Sequence, residues 1–267
     1  MVARPVTLPS DGLGMSAVHN RGMSDLFNGL DDIDWEDFAD AYGPADDVPD
    51  ALRAGSAGDE SAWFDLWGMV WHQGTVYSVT PVVVPFLVRI ATRPDVPDSA
   101  RRQAAFLLAA IAAADSFVLP DEPEVMLHPA WCREPGEGTP SRDLVIESNE
   151  AVAALATALA TSIAGASSSV RAGLIAALGA IGAALPESAR NSLAPLVDDA
   201  DERIRAAVGL TLSLASGTLT AESIADAARI DAEVTAYLEA VHMWPDHVRA
   251  VAIIREFCES VAGDDWV

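Results

Sequence analysis

The sequence predicts an all-α protein, a right-handed α-solenoid of about five to six helical hairpins with one long Pro-rich insert. Two observations carry this. Two stretches repeat each other 34 residues apart: Val170-Arg171-Ala172-Gly173-Leu174-Ile175-Ala176-Ala177-Leu178 and Ile204-Arg205-Ala206-Ala207-Val208-Gly209-Leu210-Thr211-Leu212. A weaker copy puts Arg101 where Arg171 and Arg205 stand, with Leu108 and Ile111 matching Leu178 and Ile181. Each copy also follows a shorter apolar segment and a polar turn, so the repeating unit is a pair of helices. The hydrophobic content of 51% in 267 residues allows a large core shared between neighbouring repeats. No run reaches 18 uninterrupted apolar residues, and the richest, Val170 to Leu185, reads as a buried helix.

Taken in order, residues 1–23 lack periodicity and are expected to be disordered, with Met15 or Met23 as alternative starts. Residues 24–267 form one domain. Ser24 opens a short helix with Leu26, Phe27 and Leu30. Asp34 is placed to cap a helix from Trp35 to Tyr42, which Gly43-Pro44 stops. A marginal helical piece runs from Val48 to Arg53. Asp59 caps a helix whose inward stripe is Trp63, Leu66, Trp67 and Val70, ending near His72 because Gly74 follows. Thr80 caps the next helix, with Pro81 in its first turn and Pro85 early enough to be tolerated. Asp98 to Ala114 is its partner, with Ala104, Leu108 and Ile111 inward.

Residues 115–148 break the pattern with five prolines, and an insert of this length is functional or mobile. Its Met126 and Trp131 are expected to dock on the body. Repeats resume with Glu150 to Ile163 pairing with Ser168 to Leu185, and Glu187 to Val197 pairing with Asp201 to Ala215. Thr220 caps a further helix, and Asp231 to His242 follows. Pro245 opens the last helix, with Val248, Val251, Ile254 or Ile253, and Cys258 inward. Arg249, Arg255, Glu256 and Glu259 would form the polar outer face of a terminal repeat.

Two segments carry a family resemblance. Pro195-Leu196-Val197-Asp198-Asp199-Ala200-Asp201, followed by Ile204-Arg205-Ala206-Ala207, resembles a HEAT repeat. The resemblance implies a hydrogen bond between repeats from the second-helix arginine to the Asp-rich turn. Asp198, Asp199 and Asp201 are then the candidates for Arg205, while Arg171 follows Ser167-Ser168-Ser169 and should lack a partner. The second segment is Trp71-His72-Gln73-Gly74-Thr75-Val76-Tyr77 with Thr80 and Val84-Pro85-Phe86-Leu87, preceded by Tyr42-Gly43-Pro44-Ala45 and Val48-Pro49. It resembles a signature of bacterial HEAT-repeat proteins, many of them actinobacterial. Some HEAT-like proteins are immunity proteins encoded beside secreted toxins, and others are DNA glycosylases.

Charge bears on which of these functions fits. The net charge is -24, with 16 basic residues, all arginine. It repels nucleic acid and anionic membrane and would attract a basic protein. The acid is concentrated: residues 24–62 hold twelve acids and one arginine, whereas residues 63–119 hold four of each. A solvated face permits such a run; a footprint for a basic partner would explain it. Cys132 and Cys258 are too few for a disulfide framework and read as reduced thiols, and no signal peptide is visible, so a cytoplasmic location is expected.

Among candidate sites, Trp71, His72, Gln73 and Tyr77 form the most distinctive polar–aromatic group. They make either a recognition pocket at an inter-helix turn or a structural corner in which His72 and Gln73 satisfy backbone groups at a helix end. No metal and no cofactor are expected: His242 and His247 straddle Trp244-Pro245, and His128 with Cys132 lies in a Pro-rich loop. There is no phosphate-binding glycine loop and no nucleophile elbow. The expected function is a protein-binding solenoid of immunity type that neutralises a basic toxin or effector by occlusion. Asp46, Asp47 and Asp50 would steer encounter, and Trp67, Trp71, His72, Gln73 and Tyr77 would bind. The alternatives are a HEAT-like enzyme acting on nucleic acid, such as a DNA glycosylase, and a scaffold of a host regulatory complex.

Overall fold

The computed structural model describes residues 26–114, 142–240 and 242–263. Expectations for residues 1–23 and for most of the insert, including Met126, His128, Trp131 and Cys132, lie outside these. The described chain is mostly helical, with a single two-stranded hairpin.

The acidic N-terminal stretch is less regular than its sequence suggests. Leu26, Leu30 and Trp35 are buried, and the Trp35 indole N–H donates to the Leu30 carbonyl at 2.9 Å. The helix expected from Trp35 to Tyr42 is only a single 3-10 turn, Trp35–Asp37, and the chain is extended at Phe38. Asp40 explains the difference. Its buried carboxylate accepts from the Tyr42 and Gly43 amides at 2.6 and 2.9 Å, a local turn that competes with helix. The loop closes with a bridge between Ala39 and Pro44.

Helix α1 spans Val48–Ser56 and α2 spans Glu60–Val70. Asp59 caps α2, and the bond it accepts from the Ser61 hydroxyl, followed by those from the Ala62 and Ser61 amides, holds its carboxyl below the ordinary value. Trp63 locks the pair of helices. Its indole lies over Gly55, where an added Cβ would meet it at 3.1 Å, and its N–H donates to the Gly55 carbonyl.

α2 stops at Val70, before His72, because the next residues make a β-hairpin. Strand β1 is Trp71–His72 and β2 is Thr75–Val76, paired Trp71 to Val76 and His72 to Thr75. Gln73 and Gly74 both have positive φ, 51° and 85°, as a type I′ two-residue turn requires. The Trp, Thr and Val at the paired positions suit a strand. Gly74 is therefore a hairpin residue and not a helix C-terminal one.

Helix α3, Thr80–Thr92, follows with Pro81 in its first turn and Pro85 within it. Thr80 is not its side-chain cap. The fully buried Thr80 hydroxyl instead closes the base of the hairpin, accepting from the Tyr77 amide at 2.8 Å and donating to the Val70 carbonyl at 2.7 Å. Helix α4, Asp98–Ala112, packs against α3. Its Arg101 is buried, paired with Asp98 and donating to the Ala91 carbonyl.

After the undescribed segment, α5 starts at Arg142, ahead of the expected Glu150, and runs to Ala154; α6 is Ala156–Ser162. Helix α7, Ser168–Ile181, is the centre of the molecule. It packs on α4 on one side and on α9, Glu202–Ser216, and the C-terminal helix on others. Gly173 permits the first contact, since a Cβ there would lie 2.8 Å from the Ala105 Cβ. Helix α8, Glu187–Leu193, packs on α6. Asp201 caps α9, and a reciprocal Thr220–Ser223 capping box opens α10, Ala221–Ala228. Helix α11 is Ala232–Ala240.

The last helix, α12, Asp246–Ala262, is not an end cap with a polar outer face. It lies against α7 and α9 and also touches α10 and α11. Its apolar arc is wide: Val248, Ala250, Val251, Ile253, Ile254, Phe257 and Cys258 are all buried, and Arg249, Arg255, Glu256 and Glu259 are half-buried. Gly179 makes room for it, since a Cβ there would sit 2.8 Å from Ile254 Cγ2. One core cluster extends from Leu26 to Cys258. Among the described residues, no single helix is long and apolar enough to cross a membrane.

The bonds of the two arginines differ from the expected ones. Arg205 donates to the Asp199 and Ala200 carbonyls of its own turn at 2.6 and 3.0 Å. Arg171, expected to lack a partner, pairs with the Asp199 carboxylate at 3.3 Å. The arginine therefore reaches forward to the following turn.

Candidate functional site

Helix α2 lines the cleft with Glu60, Phe64, Trp67 and Gly68 at helical spacing, flanked by Trp63, Asp65 and Met69, and β1 adds Trp71. Leu66 and Val70 on the opposite face of the same helix enter the core, and Trp63, also buried, borders the cleft from the core side. The helix is thus apolar on both sides, and the second side forms one wall of a cleft of about 1200 Å³. The hairpin contributes His72 and Gln73 at one end. Ser99, Arg102 and Gln103 of α4 form the facing wall, and Arg255 of α12 reaches in from the C-terminal helix. Residues separated by almost the whole described chain meet here because α12 lies across the molecule instead of at its end.

The aromatic rings are held in place. Trp67 donates from Nε1 to Gln103 Oε1 at 3.0 Å, bridging the two walls. Trp67 and Trp71 stand edge to face, with centroids 5.8 Å apart and planes at 88°, so the two indoles form adjacent sides of a corner. Tyr42 leans on His72 at 5.9 Å and lies over Gly68, where an added Cβ would meet its hydroxyl at 3.1 Å. Two rings at the rim face solvent: Tyr42 is 73% and Phe64 78% exposed. The Trp71 indole N–H is shielded from solvent without a hydrogen-bond acceptor among the described residues.

The charges of the cleft are unequal in their commitments. Arg255 pairs with Glu259 on its own helix. Beside them Glu256 is half-buried, and burial first, then repulsion from Glu259, raises its carboxyl above the ordinary value against the pull of Arg255. Burial likewise raises the Tyr237 phenol. Glu60 and Asp65 on α2 are exposed, and their carboxylates make no hydrogen bond or ion pair among the described residues.

Of the residues singled out from sequence, Trp67, Trp71, His72 and Gln73 come together in this cleft. Tyr77 does not line it; it is half-buried against the core. Asp46, Asp47 and Asp50 are exposed outside it, with Asp50 paired to Arg53, which also bonds Asp31. The sequence reading missed Phe64, Gln103, Arg102 and Arg255. Phe64 carried a signal, an aromatic residue off the inward stripe between Trp63 and Asp65. The other three are brought in by long-range packing and carried none. Among the described residues no group of three or more His, Cys, Asp or Glu is placed to hold a metal. Cys258 is fully buried, which pushes its thiol far up, and no nucleophile is formed there.

No family model, curated protein or solved structure matches this chain.

Proposed function

We propose that the helices form a right-handed α-solenoid of HEAT-like hairpins, and that the chain is a protein-binding module of immunity type holding a basic toxin or effector by occlusion in the cytoplasm. The observation that carries the binding reading is the cleft: a corner of two indoles behind two largely exposed rim rings, Tyr42 and Phe64. Fixed aromatic side chains at an open cleft are the kind of surface on which binding energy concentrates. The solenoid reading is supported by Arg101, Arg171 and Arg205 at matching places on α4, α7 and α9, which pack in that order. Because α12 covers part of α7 and α9, docking falls to the cleft formed by α2, the hairpin, α4 and α12.

Acidic side chains outside the cleft, including Asp46, Asp47 and Asp50, would speed encounter with a basic partner, and the effect should fall with salt as the Debye length shrinks to about 8 Å at physiological ionic strength. The test is retention of a protein by the immobilised full chain, followed by kinetics at two salt concentrations. Asp46→Asn, Asp47→Asn and Asp50→Asn together should slow association, and Phe64→Ala or Trp71→Ala should speed dissociation. Retention of nucleic acid in place of protein would overturn the reading in favour of a nucleic-acid enzyme. Binding indifferent to salt would remove the basic partner and leave a scaffold.

A further inference from the structure

We infer that the aromatic cleft receives an arginine side chain of the partner, an inference that rests on the protein-binding reading above. Three observations converge on a cation with a flat face. First, Trp67 and Trp71 present perpendicular rings on adjacent sides of one corner, with the Tyr42 and Phe64 faces open at its rim. The negative faces of such rings attract a cation, and a planar guanidinium also stacks on them.

Second, the uncommitted charge of the cleft is negative. Arg255 pairs with Glu259 and Arg102 is also engaged, while Glu60 and Asp65 have no cationic partner among the described residues. A guanidinium held against the indoles can therefore pair with a carboxylate of the α2 wall. Third, the chain as a whole is strongly acidic at -24, so an approaching basic segment is drawn in at long range. Trp67 is fixed before any ligand arrives because Gln103 already accepts its N–H, so the corner is organised in advance.

The experiment titrates the full chain with a blocked twelve-residue glycine–serine peptide carrying two arginines, and with the same peptide carrying citrulline, lysine or glutamate there. Tryptophan fluorescence is the readout. Citrulline keeps the shape of arginine and removes its charge. The arginine peptide should bind saturably, about tenfold or more tighter than the citrulline peptide and tighter than the lysine peptide. Glu60→Gln with Asp65→Asn should weaken the arginine peptide severalfold and leave the citrulline peptide unchanged. Both positions are exposed, so the fold is retained; a thermal melt checks this. Equal affinity for arginine and citrulline, preference for glutamate, or no saturable response to any peptide would overturn the inference. A protein retained by the full chain and lost in Phe64→Ala, yet unaffected by Glu60→Gln with Asp65→Asn, would overturn the cation while leaving the protein-binding reading standing.

Discussion

Arg171 of α7 places Nη1 3.3 Å from Oδ2 of Asp199, in the turn that leads into α9. The carboxylate side chain is only 8% exposed, so it depends on this partner more than a surface aspartate would. Arg205, at the matching position one repeat on, instead ties down two carbonyls of its own turn, those of Asp199 and Ala200. The two arginines thus hold one turn from two helices, α7 and α9.

Arg171→Ala should therefore cost more than Arg205→Ala. Leaving Asp199 short of its cation should cost about 1–3 kcal/mol, and losing the two partly exposed bonds of Arg205 about 1 kcal/mol. Urea unfolding at neutral pH measures both. Asp199→Asn in the Arg171→Ala background should recover part of the loss, since the neutral amide needs no cation. An Arg205→Ala loss exceeding that of Arg171→Ala would show that the turn is held mainly by its own helix.

The sequence placed most of the helices because the relevant signals are local. Asp59, Asp201 and Thr220 cap the helices they precede, and the inward residues of α4 and α12 are buried as their spacing implies. It failed where a long-range contact or a turn outweighed the pattern. Asp40 bends the chain at Tyr42 and Gly43 through bonds that its spacing does not advertise. Gln73-Gly74 is not the usual Asn-Gly of a type I′ turn, so the hairpin was concealed as a helix end. The cleft was half legible: its α2 and hairpin side is contiguous in sequence, whereas Gln103 and Arg255 arrive only through packing of α4 and α12.

Thr80 offers a clean test of how the hairpin is anchored. Thr80→Val keeps the shape and removes both bonds of a fully buried hydroxyl, leaving the Tyr77 amide and Val70 carbonyl unpaired. The expected loss is about 1–3 kcal/mol by thermal or urea melt. Thr80→Ser keeps the bonds and should lose only about 0.8 kcal/mol for the missing methyl group. Equal losses would mean that packing, and not the hydroxyl, holds the hairpin base.

Gln73 sits at φ 51°, where a side chain with a Cβ is strained. Asn tolerates this conformation better, and Asn-Gly is the favoured pair for a type I′ turn. Gln73→Asn should raise stability by a few tenths to about 1 kcal/mol. Gly74→Ala should lower it, because its φ of 85° is open only to glycine at little cost. Calorimetric midpoints of the two variants against the parent chain decide this, and a stabilised Gly74→Ala would rule out the turn.

Cys258 is fully buried in α12, and its thiol is held protonated by desolvation first. In a Cys132→Ser background, a thiol reagent should leave Cys258 unmodified in the native protein and react with it on unfolding in urea. Rapid modification under native conditions would show that α12 opens from α7 and α9 without global unfolding.

Glu256 gives a pH dependence whose sign is fixed by its environment. Its carboxyl is raised above the ordinary 4.5 by burial and by Glu259, against Arg255. Between that ordinary value and the raised one, the folded state binds more protons at this site than the unfolded chain does. Stability from this group therefore falls as pH rises through the window, and the ionised side chain weighs against the fold above it. Glu256→Gln removes the charge and keeps the shape. The variant should be more stable than the parent chain at pH 7, with the advantage shrinking as pH falls toward the ordinary carboxylate value, where Glu256 is protonated in both states. Urea midpoints from pH 4 to pH 8 measure it. A variant less stable than the parent at pH 7 would mean that the attraction between Glu256 and Arg255 exceeds the combined cost of burial and of repulsion from Glu259.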